Sequence, residues 1–160
     1  MPSTLPTRLS LIAVLASSFA LNRHPSAQGA FQYQYAAKVV CGTPEGPAPV
    51  TVQAYATSIN VNNPSSDSLL FLRKRLVITF PPGFQIPQKP LTVFNDSLPP
   101  AFALMTDCQD LRRRNRLRQP FFEGFVVIQS TMPLDVTAVY SVPGGIDVVP
   151  VAERKVFVGR

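Results

Sequence analysis

The chain has 160 residues, with 15 Lys and Arg against 9 Asp and Glu, 17 Pro, 2 Cys and no Trp, which is enough for one domain of ordinary size. The single histidine, His24, lies in an N-terminal segment that has the pattern of a cleaved signal peptide. We therefore expect the mature chain to lack histidine, which excludes Ser-His-Asp and Cys-His nucleophiles, His-ligated zinc and imidazole acid–base catalysis.

The N-terminal segment resembles a secretory signal in charge and length. Arg8 supplies a positive charge, and residues 9–21 form a 13-residue apolar stretch that suits a signal peptide and is too short to span a bilayer. Small residues at the minus-three and minus-one positions predict cleavage before Ala30. The sequence therefore predicts a signal peptide over residues 1–29 and a single mature domain over residues 30–160, secreted to the periplasm or medium and without a transmembrane segment.

Two cysteines, Cys41 and Cys108, each end an apolar segment. In an oxidising compartment such a pair is more often bonded than free, so we predict a disulfide between them. It would close a loop for which the chain-entropy treatment gives about 4 kcal/mol. The alternative is two buried reduced thiols that pack as small apolar groups.

The first half of the mature chain reads as alternating strands separated by Pro- and Gly-rich turns. Strands are predicted over residues 32–41, 50–62 and 69–80. Alternation in the third places Arg73 and Arg75 on one face, which we expect to face water or an edge.

The middle of the chain is richer in proline. Residues 81–100 carry six prolines and predict a loop with one edge strand over residues 91–94. A strand is predicted over residues 101–108, and Asp107 or Asp110 is expected to cap a one-turn helix over residues 111–114.

The C-terminal part contains the clearest strands, over residues 121–130 and 134–142. The three-residue link between them suits a hairpin. Residues 146–158 predict one further strand, which Pro150 interrupts, so an edge or bulged strand is expected there. Short consecutive strands joined by tight turns favour an all-β fold, an antiparallel β-sandwich first and a small β-barrel second.

Three stretches, residues 55–64, 106–110 and 124–140, resemble a group of uncharacterised secreted bacterial proteins, and the last is the most specific. It is also distantly similar to the sensory rhodopsin transducer family of small β-sandwich proteins. The resemblance implies a β-sandwich fold and self-association. Those transducers are cytoplasmic and lack the cysteines and arginine run of this chain, so the resemblance carries the fold and no partner.

Five arginines are concentrated in one segment. Guanidinium groups could clamp sulfate, phosphate or carboxylate groups of an anionic surface glycan or a lipid headgroup. A solvent-exposed loop is the simpler interpretation and is favoured. Nucleic acid is disfavoured, because export removes the usual partner and no aromatic residue interrupts the run. The five candidate residues are Arg112, Arg113, Arg114, Arg116 and Arg118.

Acidic residues offer two other chemistries. Glu123, Asp135 and Asp147 lie on the C-terminal strands, but nothing in their spacing brings two carboxylates together as glycoside hydrolysis requires, so we predict no enzyme. A calcium site from acidic residues lacks EF-hand-like spacing, so no metal and no cofactor are predicted. The acidic residues considered for calcium are Asp96, Asp107 and Asp110.

Two further groups of residues have a structural and a binding interpretation. Asn62 and Asn63 next to Pro64 are typical of a turn, although a ligand at the end of the sandwich is the alternative for them and Asn60. The aromatic residues are interpreted as core rather than as platforms for carbohydrate, since Trp is absent. The tyrosines concerned are Tyr33, Tyr35, Tyr55 and Tyr140.

Together these observations predict a secreted, non-catalytic β-sandwich module with a structural or protein-interaction role. A protein partner or self-association is the preferred mode of action. The alternative is a binder of anionic surface glycan or lipid headgroup through the segment of residues 112–118.

Overall fold

The structure is a computed structural model that describes residues 31–46, 50–80, 83, 86 and 88–156. The predicted signal peptide lies outside the described residues. Within them the chain forms, in order, β1 (Tyr33–Gly42), β2 (Ala56–Asn62), β3 (Leu70–Thr79), β4 (Leu91–Leu98), β5 (Ala103–Asp107), α1 (Cys108–Asn115), β6 (Phe121–Ser130), β7 (Asp135–Val142), β8 (Gly145–Pro150) and β9 (Glu153–Lys155).

The described strands form two antiparallel sheets. The five-stranded sheet has the order β4-β3-β6-β1-β9, and the four-stranded sheet has the order β5-β2-β7-β8. The sheets pack as a sandwich, and no closed barrel forms among the described strands. The predicted antiparallel β-sandwich is confirmed, and the small barrel is not formed.

The core lies between the sheets and follows the two-residue period of the strands. In β1, every second side chain from Tyr35 to Cys41 is buried while its neighbours are partly exposed. Strands β2, β3, β6 and the first half of β7 repeat this alternation from both sides of the core. The buried apolar residues that they supply include Ile59, Val61, Leu70, Leu72, Leu76, Val126, Ile128, Val136 and Ala138.

The predicted hairpin across residues 131–133 is wrong, because β6 and β7 belong to different sheets. Both edges of β6 are occupied, by β3 and by β1, so β7 pairs with β2 and β8 instead. Two hydrogen bonds hold the link in which the chain crosses from one sheet to the other. The Leu134 N–H donates to the Tyr35 hydroxyl at 2.8 Å, and the Ser130 hydroxyl donates to the Met132 carbonyl at 2.7 Å.

The single C-terminal strand expected over residues 146–158 is two strands in two sheets. β8 pairs with β7, whereas β9 pairs with β1. Pro150, which has no N–H to donate, ends β8. The Val151 N–H still bonds to the Val136 carbonyl at 2.8 Å, after which the chain crosses to the five-stranded sheet.

α1 covers the side of the sandwich where the edge strands β4 and β5 meet, and it contacts both. It begins after Asp107, whose carboxylate accepts from the Asp110 N–H at 2.8 Å, so one of the two proposed capping residues is confirmed. The helix is eight residues long, longer than expected. Among the described residues no helix is long and apolar enough to cross a membrane.

A disulfide links Cys41 at the end of β1 to Cys108 at the start of α1, as predicted. It therefore ties the five-stranded sheet to the helix. Next to it, Gly42 has a positive φ of 94°, and a Cβ on Gly42 would overlap the Pro120 carbonyl oxygen. Glycine is required there because both the backbone conformation and the close approach exclude a side chain.

Candidate functional site

The arginine segment is divided between α1 and the chain that follows it. The last turn of the helix contains Arg112, Arg113 and Arg114. The negative end of the helix dipole lies there and stabilises their positive charge. Arg116 ends the helix in the left-handed conformation, with φ of 53°, and its N–H bonds to the Arg112 carbonyl. Arg118 lies beyond the helix and is exposed.

Arg112 is part of the scaffold. Its guanidinium donates to the carbonyl oxygens of Cys41 at 3.2 Å, of Pro120 at 2.7 Å, and of Gln119. It also lies 5.0 Å from the centroid of the Phe122 ring. The interpretation as a solvent-exposed loop is therefore wrong for Arg112, because its donors are used to hold α1 against the ends of β1 and β6.

Two more arginines are paired within the helix. Arg113 lies 2.7 Å from the Asp110 carboxylate and Arg114 lies 3.5 Å from it, and the hydrogen bond from Arg113 is the main reason why the pKa of Asp110 falls below its usual range. Arg116 and Arg118 are exposed and form no ion pair with any described residue. The structure thus leaves two of the five arginines unengaged among the described residues.

A buried lysine lies close to this helix. Lys74 in β3 is 2% exposed, and its ammonium donates to the Thr106 hydroxyl of β5 at 2.8 Å. The ammonium also lies 5.5 Å from the centroid of the Phe94 ring. Burial disfavours the charged form, so the pKa of Lys74 falls from 10.5 to about 8, although the Asp110 charge opposes this shift.

A cavity of about 80 Å³ adjoins Lys74 between β4 and β5, beneath α1. Its polar lining consists of Lys74, Thr106, Asp110 and Arg114, and apolar side chains of β4 and β5 complete the wall. The Arg114 guanidinium lies 5.3 Å from the centroid of the same Phe94 ring. Two cationic groups from different elements therefore converge on one small cavity.

The edge strand β8 is a second feature of interest. All six of its residues are exposed, and the exposed fractions of Ile146 and Val148 are 74% and 59%. β8 ends the four-stranded sheet, so nothing in that sheet pairs with its outer side. An apolar strand with an open edge is the kind of surface that natural proteins usually protect.

The main-chain groups of β8 have a defined direction. Because the Val151 N–H bonds to the Val136 carbonyl, and hydrogen-bonded pairs alternate along an antiparallel ladder, every second residue back along β8 also bonds to β7. The N–H and C=O groups of Ile146 and Val148 therefore point away from β7. No described residue bonds to these groups, so they can pair with another strand.

The three candidate carboxylates do not form a catalytic pair. Glu123 is in the five-stranded sheet and lies 2.7 Å from the Lys38 ammonium. Asp135 is in the other sheet, where its carboxylate accepts from the Asn62 amide at 3.3 Å. Asp147 is opposite Tyr140 in β8 and contributes, after burial, to the raised pKa of that tyrosine. The two carboxylate positions needed for glycoside hydrolysis are not brought together by these residues.

The acidic residues considered for calcium are used otherwise. Asp107 caps α1, Asp110 pairs with the helix arginines, and the side chain of Asp96 lies outside what the structure describes. Among the described residues no group of three or more His, Cys, Asp or Glu could hold a metal ion.

Asn63 has a structural role. It is fully buried, and its amide donates to the carbonyl oxygens of Ser68, Leu98 and Pro99 at 2.9–3.0 Å. Its own oxygen accepts from the Ser65 N–H at 3.0 Å. The turn interpretation is confirmed for Asn63 and is wrong for Asn62, which is the last residue of β2 and pairs with β5 and β7. Asn60 is exposed on β2.

Three of the four tyrosines, Tyr33, Tyr35 and Tyr140, belong to the core or pack against it, as expected. Tyr35 is 1% exposed, and desolvation is the main reason why its pKa rises to about 12. Tyr33 and Tyr140 pack against the core. Tyr55 is partly exposed and contacts the Phe121 ring edge-on, with ring centroids 6.4 Å apart.

Neither Lys74 nor the β8 edge was predicted from the sequence as a functional candidate. A signal was present for Lys74, because it shares one face of β3 with Leu72 and Leu76 and interrupts an otherwise apolar row. The apolar residues Ile146 and Val148 were visible too, but their exposure depends on the position of β8 at the end of a sheet.

Comparisons with protein-family models, with curated proteins and with solved structures returned no match to this chain. The resemblance to secreted bacterial proteins and to the transducer family stays a prediction.

Proposed function

We propose that this chain is an exported, non-catalytic β-sandwich module that acts by self-association, with the β8 strands of two copies joined edge to edge. The observation that carries the proposal is the open edge of β8, where six consecutive residues are exposed. Unused main-chain donors and acceptors give such an edge affinity for a strand, and exposed apolar side chains add to it.

A second copy fits this edge by symmetry. In a two-fold antiparallel pair centred on Val148, the two Val148 residues exchange both main-chain hydrogen bonds, and each Ile146 N–H meets the Pro150 carbonyl of the other copy. This register forms four hydrogen bonds. It also brings Ile146 and Val148 of both copies together on one outer face, where they bury apolar surface.

A neighbouring symmetric register is less favourable. Centred on Asp147, it would set the two Asp147 carboxylates directly opposite each other, and like charges at that position destabilise an antiparallel pair. Centring on Val148 avoids this repulsion because each Asp147 then opposes Val149 of the second copy. Of these two registers, charge therefore favours the one centred on Val148.

Export is supported by the disulfide, since such bonds persist in oxidising compartments. We propose that residues 1–29 are removed on export and that the mature chain begins near Ala30. Intact-mass measurement of protein recovered from the periplasm or medium tests this step. Protein that still carries Met1 would contradict it.

Light scattering over a concentration series tests the self-association. The wild-type mature chain should form a dimer whose fraction rises with concentration. Val148→Pro removes an outward N–H without removing a β7–β8 hydrogen bond, so it should abolish the dimer and leave the fold intact. The matched control is Met105→Lys, which changes an exposed apolar residue on β5, the opposite edge of the same sheet.

Two results would contradict the proposal. One is a wild-type chain that stays monomeric at every concentration; the other is a dimer that Met105→Lys disrupts and Val148→Pro does not. If a monomer retained sulfated or phosphorylated glycans, and Arg116→Ser with Arg118→Ser removed that retention, the alternative of anionic glycan or lipid headgroup binding would replace self-association. Such binding should weaken steeply with salt.

A further inference from the structure

The Lys74 ammonium has more donors than the described part of the chain satisfies. An ammonium carries three N–H groups, and within the described residues the one acceptor that it reaches is the Thr106 hydroxyl. Lys74 is 2% exposed, so bulk water does not surround the other two. A buried cation with two donors that no described residue accepts from calls for an acceptor in the adjoining cavity.

The size of the cavity limits that acceptor. At about 80 Å³ it is about half the volume of a cavity of about 150 Å³ that holds benzene, a ligand of six heavy atoms. By this ratio about three heavy atoms fit inside, and the fourth atom of a molecule the size of acetate can extend to the mouth of the cavity, where Met105 is exposed. Sugars, nucleotides and aromatic acids are excluded from full entry by volume alone.

The charges around the cavity favour an anion. Arg114 and Lys74 both line it, and the Asp110 carboxylate, the one acidic group among the described lining residues, is already engaged by Arg113 and Arg114. The described lining is therefore cationic in excess. A carboxylate matches it well, because two oxygens can accept from an ammonium and a guanidinium together.

We propose that the cavity between β4 and β5, bounded by Lys74, Thr106 and Arg114, binds a small carboxylate of about four heavy atoms, the size of acetate. The Lys74 ammonium donates to the carboxylate, Thr106 holds the ammonium in place, and Arg114 supplies the second positive charge. This site is independent of the β8 edge, which is on the opposite side of the four-stranded sheet.

Binding should depend on the protonation of Lys74. With a pKa of about 8, the protonated fraction falls from about 0.9 at pH 7 to about 0.1 at pH 9, so affinity should fall about tenfold. The hydrogen bond from Arg113 holds the pKa of the Asp110 carboxyl below its usual range, so Asp110 does not contribute to the change. Several elements are packed around Lys74. Asp110 and Arg114 of α1 and Thr106 of β5 line the same cavity. In the sheet, Lys74 is paired with Phe94 of β4 and Ile128 of β6, and Asp96 of β4 is paired with Leu72.

NMR titration of the mature chain with sodium acetate tests the site. Amide signals of Phe94 and Thr106 should shift and saturate, with a dissociation constant in the millimolar range because so small a ligand makes few contacts. Acetamide, which has the same shape without the charge, should cause no saturating shift. N-acetylglycine, which carries a peptide group next to its carboxylate, distinguishes two kinds of ligand. Tighter binding than that of acetate would indicate that the cavity binds the carboxylate of a chain terminus, and weaker binding would indicate that it binds a free small acid.

Matched variants assign the response to Lys74. Lys74→Met should abolish the saturating shift, and Lys74→Gln provides a second test that keeps a polar end. Arg75→Met, the control, removes one positive charge from the other face of the same strand and should leave affinity unchanged. Asp96→Asn should leave both the affinity and its decline between pH 7 and pH 9 unchanged.

The proposal is overturned if acetamide shifts the same signals as strongly as acetate, if Lys74→Met or Lys74→Gln binds acetate as the wild type does, or if folded wild type shows no saturating response. It is also overturned if affinity does not fall between pH 7 and pH 9, or if Asp96→Asn removes that fall. These outcomes are separate from the oligomeric state and leave the β8 proposal untouched.

Discussion

At the scale of single residues, Lys74 shows how an ionisable group is held in a core at a cost to stability. β3 continues the sandwich pattern through this position, so the lysine is enclosed together with leucines. Its ammonium gains one hydroxyl partner and the field of Asp110, which offset only part of the lost hydration. A buried group that lowers stability is a reasonable place to look for function.

The first prediction concerns stability against pH. The unfolded chain holds the Lys74 proton up to its ordinary pKa of 10.5, whereas the folded chain releases it near 8, so unfolding free energy should rise with pH across that interval. The full effect is about 3 kcal/mol, from about 1.4 kcal/mol per pKa unit. Urea denaturation at a series of pH values from 7 to 10 measures it.

Lys74→Met is the control for this prediction. It should be more stable than the wild type at pH 7 and show a flatter dependence on pH, since an apolar side chain replaces a poorly compensated charge. The series should end at about pH 10, the ordinary pKa of tyrosine. Above it Tyr35, with a folded pKa of about 12, acts in the opposite direction. A wild-type stability that falls between pH 8 and pH 10 would contradict the prediction.

At the scale of elements, the attachment of α1 depends on Arg112. The helix is eight residues long, and Leu111 is its one buried side chain, so packing alone holds it weakly. Arg112 bonds to three carbonyl oxygens at the ends of β1 and β6. The helix therefore gains its position from a guanidinium as well as from apolar contact.

The second prediction tests this anchor. Arg112→Ala should lower unfolding free energy by about 2 kcal/mol, because hydrogen bonds from a charged donor are lost and carbonyl groups are left unpaired. Arg118→Ala, which removes an exposed arginine of the same segment, should change it by less than about 0.5 kcal/mol. Chemical denaturation of the two variants side by side measures both changes in unfolding free energy. Equal changes would argue against a role of Arg112 in anchoring α1.

The strands show where local patterns predict an element and where they do not. The alternation of apolar residues correctly indicates β1, β3, β6 and β7, because a strand with one face towards the core and one towards water alternates apolar and polar residues. The pairing of β6 with β7 was wrong since a three-residue link is compatible with both a hairpin and a crossing. Competition for the edges of β6, which β1 and β3 occupy, decides between these two.

At the scale of the whole molecule, the disulfide joins two layers that are distant in sequence. Cys41 and Cys108 are 67 residues apart, and the bond connects the end of β1 in the five-stranded sheet to the helix that follows β5, an edge strand of the four-stranded sheet. Closing so long a loop restricts the unfolded chain more than the folded one. The bond therefore stabilises the sandwich as a whole.

The third prediction follows from that loop. The double variant Cys41→Ala with Cys108→Ala should lose about 4 kcal/mol of unfolding free energy relative to the oxidised wild type. Guanidinium denaturation measures the loss, and the wild type after reduction should approach the variant. If an alkylating reagent modified Cys41 and Cys108 in native protein that had not been reduced, the bond would be absent.

The sequence by itself determined the fold class and the disulfide, because the alternation of strands and the apolar surroundings of the cysteines can both be seen in short stretches of sequence. It also indicated that Arg73 and Arg75 face outward and that Asn63 forms a turn. Only the tertiary structure decided which strands share a sheet, that Arg112 is an anchor, and that Lys74 meets Thr106 and Arg114 at one cavity. Those features depend on contacts between residues tens of positions apart, and the pairing that brings such residues together is set by competition among all the strands at once.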